Sequence, residues 1–187
     1  MADDGPDLEH VHAVIDDLTK IGFEPILVGG MALVALGSQR VTRDFDFVIA
    51  APGDRLTLLV DTFYDRGWEL VSRLNRAGQV TATIDNRRIA AMRIRLDGPY
   101  SVYFFHKSAR VRIDLLFDFP VPAARLARSA ARFKVQSHEF AIASEADLLE
   151  LKRIAQRGRA KPGDAEDIAF LEARRASQRG GARRKPS

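Results

Sequence analysis

The feature that most constrains this sequence is an apolar segment that carries two aspartates at alternate positions. Residues 43–50 read RDFDFVIA, so Asp44 and Asp46 face one side of a predicted strand while Phe45 and Phe47 face the other. Burying two neighbouring carboxylates without a partner is costly. The segment therefore predicts either an exposed strand end, where nearby arginines neutralise the acids, or a site for a divalent cation, because Mg²⁺ prefers carboxylate oxygens together with substrate phosphates.

A second strand, predicted over Arg110 to Phe119, favours the cation site. Its alternation places the apolar residues on one face and the charged residues on the other. The charged face consists of Arg110, Arg112, Asp114 and Asp118. A third carboxylate beside an Asp-x-Asp pair would complete a two-metal site, in which one metal activates the attacking oxygen and the other holds phosphates. We take this carboxylate to be Asp114, because Asp118 lies near the strand end before Pro120.

The pair Gly29-Gly30 fits the same site. It follows a predicted strand, Pro25 to Val28, and precedes a predicted short helix, Met31 to about Leu36. Glycine lets a backbone approach a phosphate closely, and a helix start offers free N–H groups. A Gly-x-x-x-x-Gly-Lys-Ser/Thr loop is absent, so the order of the motifs carries the interpretation: strand, Gly-Gly, helix, Asp-x-Asp strand, then a single aspartate on a later strand.

These motifs resemble the signature of the DNA polymerase β-like nucleotidyltransferase superfamily. The stretch LVGGMALVALGSQRVTRDFDFVI, from residue 27, is similar to the stand-alone bacterial members, especially the AbiEii/AbiGii toxin-type nucleotidyltransferases. The stretch SEADLLELKRIAQRGRAKPGDAEDIAFL, from residue 144, resembles their downstream segment. The resemblance extends over residues 25–50, 110–118 and 144–171.

The resemblance implies a role for each matching residue. It implies that Gly29 and Gly30 bind the triphosphate of an NTP substrate. Asp44 and Asp46 would bind two Mg²⁺ ions, and Asp114 would bind the catalytic Mg²⁺ and act as general base for the acceptor hydroxyl. The remaining residues expected to meet nucleotide phosphate are Ser38, Arg40, Arg43 and Lys152. We interpret Asp164 and Asp167 as a helix cap and a first-turn acid rather than as ligands.

The rest of the pattern predicts an α/β (α+β) nucleotidyltransferase fold with a mixed sheet and a small C-terminal helical cap. A catalytic domain is expected over residues 1–143, a cap over 144–175 and a basic, disordered tail over 176–187. The predicted helices are residues 7–20, a helix capped by Asp54 that runs to about Tyr64, residues 123–131, a helix whose capping box is Ser144 and Asp147, and residues 164–176. The predicted strands also include residues 80–84, 89–96, 100–105 and 138–142.

Composition adds limits on location and partners. The chain has 187 residues, no cysteine and a net charge of +4. The last fourteen residues carry six positive charges and no acid, so the preceding residues carry about −2 by the same count. The tail is therefore either a solvated end or a nonspecific nucleic-acid contact. The acidic N-terminus and the short apolar runs predict a cytoplasmic protein without a membrane span.

The predicted function is transfer of a nucleoside monophosphate from an NTP to an acceptor hydroxyl, with release of pyrophosphate. The acceptor is expected to be RNA, tRNA or a protein, and the resemblance implies a toxin-type role with an antitoxin partner. Two alternatives stay open: an aminoglycoside- or lincosamide-type antibiotic as acceptor, and a non-catalytic nucleotide- or partner-binding module. Four arginines, at positions 87, 88, 93 and 95 of a predicted hairpin, would either hold an RNA acceptor or protect a strand edge.

Overall fold

A computed structural model describes residues 8–158 and 163–182 of the chain. Within them the helices are α1 (Leu8–Lys20), α2 (Gly29–Ala35), α3 (Leu56–Asp65), α4 (Arg87–Asp97), α5 (Ala123–Ala127), α6 (Glu145–Gly158) and α7 (Asp164–Ala182). The strands are β1 (Ile26–Val28), β2 (Asp44–Ile49), β3 (Trp68–Leu74), β4 (Val80–Ile84), β5 (Ser101–His106), β6 (Val111–Phe117), β7 (Ala131–Val135) and β8 (His138–Ile142).

All eight described strands form one mixed sheet; a mixed sheet was predicted, although β3 and β7 were not predicted as individual strands. The order of the eight strands is β4-β3-β5-β6-β2-β1-β8-β7. The pairs β2–β6 and β1–β8 are parallel, and the other neighbours are antiparallel. Strands β2 and β6 are far apart in sequence but lie side by side at the centre, which brings the two aspartate-bearing segments together.

The main core lies on the face of the sheet opposite the aspartates. Phe45 and Phe47 are fully buried there, and both pack against Phe140 of β8. Phe63 of α3 stacks on Phe104 of β5 with ring centroids 3.9 Å apart. Because these apolar side chains fill one face, the alternating polar positions of β2 and β6 are left for the other face.

Helix α4 corrects the strand predicted over residues 89–96. Asn86 caps the helix, since its side chain accepts hydrogen bonds from the backbone N–H groups of Arg88 and Ile89. The alternation of apolar residues with arginine suggested a strand, but Ala90, Ala91 and Ile94 recur at helical spacing and are buried.

The four arginines consequently lie on a helix and not on a hairpin, so the interpretation as strand-edge protection is wrong. Two of them are held in exposed ion pairs: Arg87 with Asp61 and Asp65, and Arg93 with Asp97.

Three smaller predictions also differ from the structure. Asp54 caps no helix, because a short 3-10 turn, Gly53–Arg55, precedes α3 and no side chain caps that helix. The helix predicted to reach Ala131 ends at Ala127. Ala131 instead begins β7, which pairs with β8 and was not predicted. The long-range pairing of β7 with β8 outweighs the local helical preference of its alanines.

Helices α6 and α7 lie in the region predicted as a cap, and the division of that region from the preceding residues as a separate unit stays a prediction. Ser144 and Asp147 form the expected capping contact, since the Asp147 N–H donates to Ser144 Oγ at 3.2 Å. Helix α7 continues to Ala182, beyond the point where the disordered tail was expected to begin; the remaining tail lies outside the described residues. Within the described part of the chain, every helix is too short or too polar to cross a membrane.

Candidate active site

The parallel pairing of β2 with β6 builds the centre of the candidate site. The register places Asp46 directly beside Asp114, and Asp44 directly beside Arg112. All four side chains share the face opposite the phenylalanine core, as the alternation in the two strands predicts. The structure thus brings together the three aspartates that the sequence analysis selected.

Asp114 is the most perturbed of these acids. Its side chain is only 11% exposed. Burial raises the pKa of Asp114, the nearby charge of Asp46 raises it further, and Arg112 partly offsets both, with a resulting pKa of about 7. A carboxyl group with this pKa exchanges its proton near neutral pH, which is the property that a general base requires.

Arg112 is a site residue that the sequence analysis did not select. Its Nε donates to Asp114 Oδ1 at 2.7 Å, and one terminal nitrogen donates to Asp44 Oδ2 at 3.0 Å. The other terminal nitrogen donates to the backbone carbonyl of Gly78, in the turn between β3 and β4, at 3.0 Å. The signal was available, because Arg112 shares the parity of Asp114, but an arginine near acids has no motif of its own.

Arg112 also explains why the three aspartates do not form a ready metal site. Among residues 8–158 and 163–182, no group of three or more acidic or histidine side chains is arranged to hold a metal ion. The guanidinium of Arg112 lies between Asp44 and Asp114 and supplies the positive charge that these carboxylates need. The donor set of three carboxylates on one face still fits a hard divalent cation in kind. A cation bound by all three acids would require Arg112 to move.

Gly29 contacts the site through Asp46. Val28 pairs with Asp46 across β1 and β2, so the next residue, Gly29, lies against the Asp46 side chain. A Cβ added at Gly29 would lie 2.0 Å from Asp46 Oδ2, and Gly29 has a φ of +67°. Both facts require glycine here. The glycine pair forms the first two residues of α2 rather than a turn before the helix, which corrects the predicted helix start.

Arg40 lies over the second glycine and connects the site to the cap. A Cβ at Gly30 would approach the Arg40 guanidinium carbon to 3.1 Å. Arg40 forms an ion pair with the buried Asp167 of α7. Ser38 accepts a long hydrogen bond from the Arg40 backbone N–H. Arg43 is exposed and immediately precedes β2. The predicted phosphate-binding positions 38, 40 and 43 therefore all lie on the loop between α2 and β2.

Lys152 forms ion pairs with two aspartates of α7. Its Nζ lies 2.6 Å from Asp167 Oδ2 and 3.4 Å from Asp164 Oδ1. Asp167 thus joins Lys152 of α6 to Arg40 of the loop before β2, a role that its interpretation as a first-turn acid did not include. Asp164 begins α7, as predicted.

Asp118, the alternative third acid, has a structural role. It follows β6 with a φ of +50°. Its carboxylate accepts hydrogen bonds from the backbone N–H groups of Ala51 and Ala123, each at 2.9 Å. These bonds fix the chain after β2 and the start of α5, which agrees with the choice of Asp114 as the site residue.

Three solved nucleotidyltransferase-type structures are similar to this chain. The lincosamide antibiotic adenylyltransferase LnuA with bound lincomycin matches with a TM-score of 0.55 at 12% identity, over 90% of this chain and 98% of LnuA. ANT(2″)-Ia in complex with adenylyl-2″-tobramycin matches with a TM-score of 0.57 at 12% identity, over 92% and 91%. An antigenic nucleotidyltransferase-like protein from Paracoccidioides brasiliensis matches with a TM-score of 0.53 at 16% identity, over 88% and 75%.

No family model and no curated protein matches the sequence. The structural matches show that the chain has the nucleotidyltransferase fold, as the sequence analysis predicted. The particular likeness to AbiEii/AbiGii toxin-type proteins stays a prediction.

Proposed function

We propose that this protein is a nucleotidyltransferase that moves a nucleoside monophosphate from an NTP to an acceptor hydroxyl. The observation that carries the proposal is the register of β2 with β6, which sets Asp46 beside a buried Asp114 on a nucleotidyltransferase fold. Placing Asp46 beside a buried carboxyl group has no structural benefit, whereas phosphoryl transfer needs this arrangement of charge.

In the proposed reaction one bond forms, one bond breaks and one proton is transferred. The acceptor hydroxyl oxygen attacks the α-phosphorus, and its proton passes to a carboxylate oxygen of Asp114. The bond between the α-phosphorus and the bridging oxygen breaks, and pyrophosphate leaves. The first turn of α2, at Gly29 and Gly30, and the loop that carries Ser38, Arg40 and Arg43 would receive the triphosphate.

A divalent metal is part of the proposal. Asp44, Asp46 and Asp114 would hold it, as two Mg²⁺ ions in the form that the resemblance implies. Bound there, the metal would neutralise phosphate charge and lower the barrier to in-line displacement. Arg112 would then exchange these carboxylates for a negatively charged partner, such as a phosphate. Lys152 would reach a phosphate only after leaving Asp164 and Asp167.

The acceptor and the toxin-type role are proposed from similarity to other proteins. A toxin-type enzyme with an RNA, tRNA or protein acceptor and an antitoxin partner follows from the sequence resemblance, and a cytoplasmic location follows from the composition. An antibiotic acceptor is favoured by a different observation: LnuA was solved with lincomycin, and ANT(2″)-Ia with adenylylated tobramycin. A non-catalytic nucleotide-binding module remains the third candidate.

The test is transfer of label from each α-labelled NTP to cellular RNA, protein and small-molecule pools in the presence of Mg²⁺. Asp114→Asn should lower transfer by about 10²- to 10⁴-fold, because the variant lacks the proton acceptor. Asp44→Ala and Asp46→Ala should abolish transfer while the protein stays folded. Asp54→Asn serves as control, because Asp54 is exposed on the turn before α3. Transfer at the wild-type rate by Asp46→Ala would contradict the proposal, and NTP binding without transfer would favour the binding module.

A further inference from the structure

The sheet splits between β3 and β5, a short distance from the candidate site. The two strands pair only from Trp68 to Leu70 on β3. Beyond Leu70, the described part of β3 pairs only with β4, and residues 101–103 of β5 pair only with β6. The gap contains a cavity of about 350 Å³ between residues 71–74 and residues 101–103, with α4 alongside. We call this cavity the β3–β5 notch; its volume lies within the range of small-molecule sites.

The notch shares a wall with the candidate site. Tyr103 lines the notch and is the register partner of Asp114 on the neighbouring strand. Directly paired residues of antiparallel strands have Cα atoms about 5 Å apart. The Arg112 guanidinium lies over the Tyr103 ring, 5.1 Å from its centroid, while it binds Asp114. A molecule in the notch would therefore have one end next to the proposed general base.

The walls of the notch are apolar, with a positive bias among their charged groups. Apolar side chains from β3, β4, α4 and β5 line it: Leu70, Val71, Leu74, Ile84, Ile94 and Val102. The charged lining residues are Arg73, Arg93 and Asp97, and Asp97 is paired with Arg93. Within the described chain Arg73 forms no ion pair. One positive charge at the notch, that of Arg73, is therefore left without a neutralising acid, whereas Arg112 at the inner end is paired with Asp44 and Asp114.

We propose that the β3–β5 notch binds the acceptor, and that the acceptor is a largely apolar small molecule with a negatively charged group and a hydroxyl. This inference rests on the proposed function and specifies the substrate class. The apolar walls take the body of the molecule, Arg73 and Arg93 take its anionic group, and Tyr103 directs the hydroxyl towards Asp114. Polycationic acceptors such as aminoglycosides do not fit, because Arg73 leaves the charged lining with a net positive charge.

Binding is tested first with 8-anilinonaphthalene-1-sulfonate, an anionic aromatic probe that fluoresces in apolar sites. The double variant Arg73→Gln/Arg93→Gln should bind the probe about tenfold more weakly, because it loses the charge-assisted contacts. Arg88→Gln/Arg95→Gln is the matched control. It also removes two charges, but beside the exposed Ile89, Met92 and Leu96 of α4 and not in the notch. Equal losses in the two variants, or displacement of the probe by tobramycin, would overturn the inference.

Transfer assays then test separately whether the acceptor binds in the notch and whether the protein transfers a nucleotide. Acidic, neutral and basic small-molecule fractions and RNA are each offered with an α-labelled NTP. We expect label in the acidic fraction, and a KM for that acceptor that rises about tenfold in Arg73→Gln/Arg93→Gln with little change in kcat. Label confined to RNA or to the basic fraction, with an unchanged KM in this variant, overturns the notch and leaves the proposed function standing. No label in any fraction overturns the proposed function, even if the probe binds in the notch.

Discussion

Asp46 occupies the volume that a side chain at position 29 would need, so the conformation of Gly29 and the position of the Asp46 carboxylate depend on each other. Glycine at position 29 lets β1 turn directly into α2 while the carboxylate lies against its Cα. The local sequence thus fixes an acid next to the helix that we propose receives the triphosphate. Gly29 is therefore needed both for the positive φ of the backbone and for the position of the Asp46 carboxylate.

Gly29→Ala should therefore abolish transfer while it destabilises the fold only moderately. The positive φ costs a non-glycine residue about 1–2 kcal/mol. The new Cβ also displaces the Asp46 carboxylate, whose Oδ2 lies 2.0 Å from its position. Gly53→Ala separates the two effects, because Gly53 has a φ of +51° and no atom within 4 Å of its added Cβ. Urea unfolding and label transfer should show similar losses of stability for the two variants and a loss of transfer only at position 29; equal transfer by both would refute the explanation.

The raised pKa of Asp114 predicts an unusual pH dependence of stability for the metal-free protein. With a folded-state pKa of about 7 against 3.8 for the free side chain, the folded state keeps a proton that the unfolded state has lost in this interval. The free energy of unfolding should consequently fall as the pH rises from about 4 to 7, by at most about 1.4 kcal/mol per pH unit from this group.

Asp114→Asn removes that contribution and should stabilise the metal-free protein increasingly towards neutral pH. Urea unfolding in EDTA at about pH 5, 6 and 7 measures the difference between variant and wild type. Asp54→Asn, at an exposed position, should give a curve parallel to that of the wild type. A difference between Asp114→Asn and the wild type that does not change with pH would show that Asp114 is ionised throughout.

At the scale of the element, the sequence predicts those strands and helices whose form depends on the local pattern of apolar and polar residues. Strands β2 and β6 were expected from alternation, and their polar faces follow from the same pattern. Helix α4 was missed because Ile94 and its flanking arginines also alternate. Its helical form depends on the Asn86 cap and on burial of Ala90, Ala91 and Ile94. Where two periodicities fit a short segment, packing against neighbouring elements decides between them.

The three aspartates of the candidate site could be predicted from the sequence, but the arginine that neutralises two of them could not. Asp44, Asp46 and Asp114 were selected because carboxylates in apolar strands are costly to bury without a partner. Arg112 pairs with Asp114 two residues along β6 and with Asp44 across the register of β2 and β6, and that register depends on the order of the whole sheet. Neither the strand order nor the contact of Arg112 with Gly78 leaves a local signal in the sequence. Such contacts follow only from long-range pairing.

At the scale of the whole molecule, helices α6 and α7 contact the segment between α2 and β2 through a small set of charged side chains. Asp167 of α7 pairs both with Lys152 of α6 and with Arg40, which lies against Gly30. The Asp167 side chain is 6% exposed and that of Lys152 15%. Arg174 adds a second connection, because it donates to the Leu36 carbonyl at 2.8 Å and pairs with Glu145. The position of the cap and the position of Arg40 are thus coupled through one carboxylate.

Asp167→Ala should therefore affect both stability and nucleotide binding. Asp167→Ala leaves Arg40 without its acid and Lys152 with Asp164 alone, and it should cost at most about 3 kcal/mol because Arg40 is partly exposed. Arg40 would also lose the contact that holds it over Gly30, so NTP affinity should fall. Glu150→Ala removes the α6 acid of an exposed pair with Arg125 of α5, and it should cost less than about 1 kcal/mol without changing NTP affinity. Urea unfolding and NTP titration of both variants measure these differences. Equal costs would mean that the cap is held by apolar packing alone, and unchanged NTP affinity in Asp167→Ala would separate Arg40 from the nucleotide site.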